Sequence, residues 1–273
     1  MARVVSLAQR KGGCGKTSFA VSLAAVGVSR AFQTATVDLD SQANASAWAL
    51  GAATVRGVSR ERSAALLEWP PRRDWLSLSS PLRADSVTPE QVLEYAVSHC
   101  RHESQSVPGL AVYPLSPGVH CDDANELLIS GLPHDWVIVD TPANSSTPAT
   151  RSALAQSDFV LVPVLASSFA IWGAEMVLRE IESVGRADLI ETGRVRLVIN
   201  GRQKWAVQDA AEQEIRARYG ELVAVDVVPW GVRIGEASMA PELLKKTNPI
   251  WKAAERIWDE LEPKQSRNRR AAA

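Results

Sequence analysis

Three glycines and two lysines fall within six residues near the start of the chain, Lys11-Gly12-Gly13-Cys14-Gly15-Lys16, and Thr17-Ser18 follow. Residues of these types at this spacing can bind phosphate. Glycines let the backbone turn tightly, so that its N–H groups point at phosphate oxygens. A lysine after the last glycine brings a point charge to the β- and γ-phosphates, and the hydroxyl of the next threonine can ligate Mg²⁺. The loop Gly12, Gly13, Cys14, Gly15, Lys16, Thr17 and Ser18 is therefore the candidate phosphate site. Lys16 is its principal cation, Thr17 its metal ligand and Cys14 a small filler.

The elements around the loop must hold it. Val4-Val5-Ser6-Leu7-Ala8 reads as a buried strand, and Phe19 to Val26 carries apolar residues at helical spacing. Strand, glycine loop and helix form the context that a phosphate-binding loop requires, and the helix adds its positive dipole end. The strict pattern G-x-x-x-x-G-K-[ST] is not met. Arg10 stands where its first glycine belongs, and Lys11 precedes the glycine pair.

Carboxylates recur at two further strand ends. Thr34 to Asp38 reads as a strand running into Asp38-Leu39-Asp40-Ser41-Gln42-Ala43-Asn44. Two acids two residues apart share a side while the chain stays extended; the alternative is that both face water. Trp136-Val137-Ile138-Val139-Asp140 ends an apolar run with an acid, where parallel sheets bind ligands.

Together these stretches resemble the ParA/MinD family of deviant Walker A ATPases. The first motif is Lys-Gly-Gly-x-Gly-Lys-Thr at residues 11–17. The second is the family's Asp-x-Asp-Pro-Gln-Gly-Asn, met at Asp38 to Asn44 with Ser41 and Ala43 in place of Pro and Gly. The third is Asp-Thr-Pro at Asp140-Thr141-Pro142. The resemblance implies ATP and Mg²⁺ as cofactors. It makes Lys11, Lys16 and Asp40 catalytic, with Lys11 crossing to a partner subunit's nucleotide and Asp40 orienting the attacking water. It gives Thr17, Asp38 and Asp140 to the metal, makes Thr141-Pro142-Ala143 a switch loop, and sets Asn200 and the strand ending at Pro229 against the adenine. Trp230 either stacks on the base or packs.

Composition sets bounds. The chain has 273 residues, 46% hydrophobic and 22% charged, with net charge −1. That suits one α/β domain, residues 1–263, and excludes a generic polycation. Residues 264–273 hold Lys264, Arg267, Arg269 and Arg270 and no acid, and are read as a disordered basic tail. Cys14, Cys100 and Cys121 fit no disulfide framework. The first strand starts too early for a secretory signal, and no apolar run approaches ~18 residues, so the expectation is a cytoplasmic protein.

Down the chain, residues 51–108 read as loop-rich, with Thr88 capping a helix that starts at Pro89 and runs to about Arg101. Further strands are expected at 109–114, 159–164, 195–200 and 223–229. Further helices are expected at 122–129, 169–184, 205–219, 233–246 and 250–261. The alternation implies an α/β fold, a mostly parallel twisted sheet with helices on both faces.

The resemblance implies a short partition ATPase, bacterial and nucleoid-associated. It would dimerise with ATP, bind DNA non-specifically through basic residues such as Arg194, Arg196, Arg202, Lys204, Arg216, Arg218, Lys245 and Lys246, and answer to a ParB-like or cargo adaptor. Its cargo would be a plasmid, a chromosome or a protein assembly. The alternative is a MinD-like membrane-associated positioning ATPase. It needs an apolar C-terminal face, which the tail lacks, and membrane binding is therefore not expected. An iron–sulfur ATPase is rejected, because Cys100 and Cys121 both precede Asp140.

Overall fold

Continuous apolar runs build the centre of the sheet. In the computed structural model, residues 1–59, 62–69, 71, 87–115, 126–143, 146–229 and 246–262 are described. Strands β1 (Arg3–Leu7), β2 (Thr34–Asp38) and β7 (Trp136–Asp140) are buried almost throughout, as strands covered on both faces must be. With β5 (Ala111–Tyr113), β8 (Phe159–Leu165), β9 (Val195–Arg202), β10 (Val223–Pro229) and β4 (His102–Glu103) they form one sheet in the order β10-β9-β8-β1-β7-β2-β5-β4. Its pairings are parallel except for the edge strand β4, which runs antiparallel to β5. β1 lies between β7 and β8, so the chain order reverses there and opens a crevice at the carboxyl ends of the strands.

Successive residues of β7 face opposite layers. Trp136 and Ile138 pack with helices α1 (Lys16–Ser29) and α2 (Asn44–Leu50) and with the last helix. Val137 and Val139 pack with Ala96 and Cys100, which lie on α4 (Pro89–Cys100). A third apolar layer joins β8 and β9 to α6 (Ser168–Ser183), α7 (Ala187–Glu191) and α8 (Ala206–Tyr219). Shorter helices are α3 (Ala52–Arg56) and α5 (Pro148–Ala155). The last helix, α9 (Pro249–Leu261), buries Ile250, Trp251, Ile257, Trp258 and Leu261, so its apolar stripe belongs to the core.

Caps fix several helix starts. Thr88 and Gln91 form the reciprocal capping box of α4. Asn248 caps α9, accepting the Ile250 N–H at 2.9 Å. Thr147 caps α5, with Pro148 in its first turn, a start signal written in the sequence of a helix not expected above.

One expected helix is corrected. Of residues 122–129, Glu126–Leu127 form strand β6, antiparallel to β3 (Glu68–Trp69). The backbone donors leave the segment: Leu127 N–H goes to Ser152 Oγ at 2.7 Å and Leu128 N–H to the Leu67 carbonyl at 2.8 Å. Donors spent that way cannot make i→i−4 bonds. The expected helix at 233–246 lies outside the described residues apart from Lys246, which sits in a turn. Trp230, Cys121, Lys245 and the tail lie outside them as well. Among the described residues no helix is long and apolar enough to cross a membrane.

Candidate functional site

The three motifs converge at the carboxyl edge of the central strands. β1 and β7 are in register with Leu7 opposite Asp140, and β7 and β2 with Asp140 opposite Asp38. The glycine loop leaves β1 just past this level and enters α1 at Lys16. Gly13 and Gly15 have φ of 72° and 93°, conformations that side-chain-bearing residues rarely adopt. At Gly15 a methyl group would also overlap the Asn200 amide.

Lys16 and Cys14 are buried, whereas Lys11, Gly12 and Gly13 are exposed. Burial pushes the Cys14 thiol up, against the pull of Lys16. Behind the loop, Gln9 Nε2 donates to the Pro163 carbonyl at 3.1 Å while its Oε1 accepts the Arg10 N–H at 2.8 Å. Gln9 thus pins the approach to Lys11 onto β8. No sequence motif marks it, because both its partners are backbone atoms.

Thr17 Oγ1 donates to Asp140 Oδ2 at 2.7 Å. Asp140 is wholly buried, and its other oxygen, Oδ1, has no hydrogen-bond partner among the described residues. Burial, then the neighbouring Asp38 carboxylate, hold the Asp140 carboxyl well above the ordinary range, against Thr17 and Lys16. A desolvated acceptor beside a hydroxyl suits a hydrated divalent cation, whose charge would relieve both carboxylates. The residues present therefore fit Mg²⁺. Thr141 Oγ1 donates to the Leu7 carbonyl at 2.6 Å, locking the first residue after Asp140 onto β1.

Extended backbone ends at Asp38. The chain turns immediately: Asp40 N–H donates to Asp38 Oδ1 at 3.1 Å. Asp38 is spent on its own loop, and Asp40 is partly exposed at the turn beyond it.

The sequence profile of the CobQ/CobB/MinD/ParA nucleotide binding domain matches residues 5–243. The chain belongs to that family. It is 32% identical to the chromosome-partitioning ATPase Soj of Thermus thermophilus over 241 residues, 86% of this chain and 84% of the relative. It is 27% identical to the chromosome partitioning protein ParA of Caulobacter vibrioides, over 86% of this chain and 83% of that protein. A plasmid partition protein from Borrelia burgdorferi, solved bound to AMPPNP, superposes with a TM-score of 0.67, covering 95% of this chain and 98% of that one at 14% identity.

Asn200 Nδ2 donates to the Cys14 carbonyl at 2.8 Å, and its Oδ1 accepts the Gly201 N–H at 2.9 Å. Asn200 thus braces the phosphate loop, and its amide carries a second N–H besides the one it spends there. Pro229 ends β10, in register with Arg202 on β9. Ser18 stands in the first turn of α1, half-buried.

Many of the candidate DNA-contacting arginines are engaged within the chain. Arg196 pairs with Glu260 at 2.7 Å, Arg202 with Asp209 and with Glu212 at 3.0 Å, Arg216 with Glu212 at 2.9 Å and Arg218 with Glu175 at 3.1 Å. Arg194, Lys204 and Lys246 are exposed.

Proposed function

We propose that this chain is a partition-type ATPase, slow alone and stimulated by a ParB-like or cargo adaptor. In this reading two copies close face to face around ATP, bind DNA without sequence preference, and position a plasmid, chromosome or protein cargo in a bacterial cytoplasm. The observation that carries it is the pairing of Thr17 with Asp140, whose second oxygen is buried and has no partner among the described residues. The likeness to Soj and ParA over most of the chain supports it.

Each residue then has a task. The loop amides and Lys16 hold the phosphates, and Thr17 and Asp140 hold Mg²⁺. Mg²⁺, when bound, neutralises phosphate charge. Asp40 orients water by hydrogen bonding, which needs no strong base. Lys11, exposed on the loop shoulder, is free to reach a second copy. Asn200 offers its remaining N–H to the base.

The test combines turnover with co-sedimentation. ATP hydrolysis is measured with and without Mg²⁺, and oligomeric state with ATP and with ADP. The ATP-loaded protein is then pelleted with plain duplex DNA and, in parallel, with anionic liposomes. Mg²⁺-dependent turnover, an ATP-dependent dimer and capture by DNA are expected. Capture by liposomes alone would favour membrane positioning, and absence of turnover would sink the ATPase reading.

A further inference from the structure

One carboxylate grips both ends of the turn that carries Asp40. Asp38 is wholly buried. Its Oδ1 accepts the Asp40 N–H at 3.1 Å, and its Oδ2 accepts both the N–H and the hydroxyl of Ser46, at 2.8 and 2.7 Å. Between these anchors Asp40 Oδ1 accepts the Gln42 N–H at 3.0 Å, and the Asp40 carbonyl accepts the Ala43 N–H at 2.8 Å. The chain doubles back through Ala43, at φ 51° and ψ 36°, and enters α2 with no side-chain cap of its own.

A carboxylate accepts at about four positions, and Asp38 uses three of them within this turn. Bonds to an ionised acceptor are roughly twice as strong as neutral ones. Ser46 provides two of the three donors, and its hydroxyl is the sole side-chain donor among them. Ser46 is itself fully buried, so water cannot replace that hydroxyl if it is removed.

We propose that Ser46 is a positioning residue that acts through Asp38 to fix the backbone of Asp40. Asp38 then serves the turn more than the metal. Its catalytic consequence rests on the ATPase reading; the mechanical link between Ser46 and Asp40 does not.

Ser46→Ala, Asp40→Ala and the double variant are compared in the full chain. The readouts are ATP affinity, single-turnover hydrolysis, melting temperature and amide hydrogen exchange across residues 39–47. Ser46→Ala should leave ATP affinity within about twofold and slow hydrolysis about tenfold. The double variant should be no slower than Asp40→Ala, since one path is cut twice. Exchange at residues 40–46 should quicken in Ser46→Ala. Hydrolysis at the wild-type rate, a further tenfold loss on the Asp40→Ala background, or unchanged exchange would each overturn the proposal. A wild-type protein that binds ATP without hydrolysing it defeats the ATPase reading instead, and the exchange arm then decides the link alone.

Discussion

Asp38 and Asp140 stand opposite one another as register partners on β2 and β7, two wholly buried carboxylates on adjacent strands. Both carboxyls are raised, each chiefly by burial. Asp140 is raised further by Asp38, while the Ser46 donors pull Asp38 down. The folded chain therefore holds these protons more tightly than the unfolded chain. Stability from this pair is fully present below the ordinary carboxylate range and is lost as pH rises towards about 8. Without nucleotide, the melting temperature of the wild type should fall relative to that of Asp140→Asn over that window. Magnesium with ATP should cancel the fall, because the cation binds the ionised form. A wild type that gains on the variant as pH rises would contradict this.

The two loop lysines should separate in function. Lys16 is buried against the loop and Lys11 is exposed on its shoulder. Lys16→Ala should abolish ATP binding, since the phosphates lose their main point charge. Lys11→Ala should bind ATP but remain monomeric in sedimentation, with hydrolysis lost. An Lys11→Ala protein that dimerises and turns over normally would remove that lysine from the partner's site.

The strained turn residue offers a stability test. Ala43 occupies the left-handed region where the family motif has glycine. Relieving that conformation gains about 1–2 kcal/mol for glycine, against a loss of about 0.4–1 kcal/mol because glycine raises the unfolded-chain entropy. Ala43→Gly should thus stabilise by up to about 1 kcal/mol in urea unfolding, and Ala43→Val should destabilise. A destabilised glycine variant would show that the turn relaxes out of this geometry.

The central strands, the tight turn at the glycines and the place of Asp140 at a strand end were legible because continuous apolar runs mark strands buried on both faces and stop where the loops begin. Gln9 and Ser46 were not, because each acts on atoms remote in sequence, the Pro163 carbonyl and the Asp38 carboxylate. A search for the partners of a buried Asp38 could have raised Ser46. Leu127, Leu128 and Ile129 misled because a short apolar run fits helix and strand alike; the Ser152 hydroxyl and the Leu67 carbonyl decide it. The basic residues of the C-terminal half looked free in sequence, since ion pairing depends on how α6, α8 and α9 lie against the strands.

That pairing yields the last prediction. Glu212 holds Arg202 and Arg216 at once. Arg202 keeps Asp209 if Glu212 is neutralised, but Arg216 loses its one carboxylate partner among the described residues. If duplex DNA meets this face, Glu212→Gln should add about one phosphate contact per subunit and two per ATP-bound dimer. Each contact steepens the fall of log K against log salt by about 0.9. The variant should therefore bind more tightly at low salt, with a slope steeper by about 1.8. Random and native sequences should respond alike, because phosphate contacts carry no base information. The measurement is a salt series on plain duplex DNA with ATP, for wild type and Glu212→Gln side by side. An unchanged slope would place the DNA on another face, where Arg194 and Lys246 are the exposed cations to neutralise next.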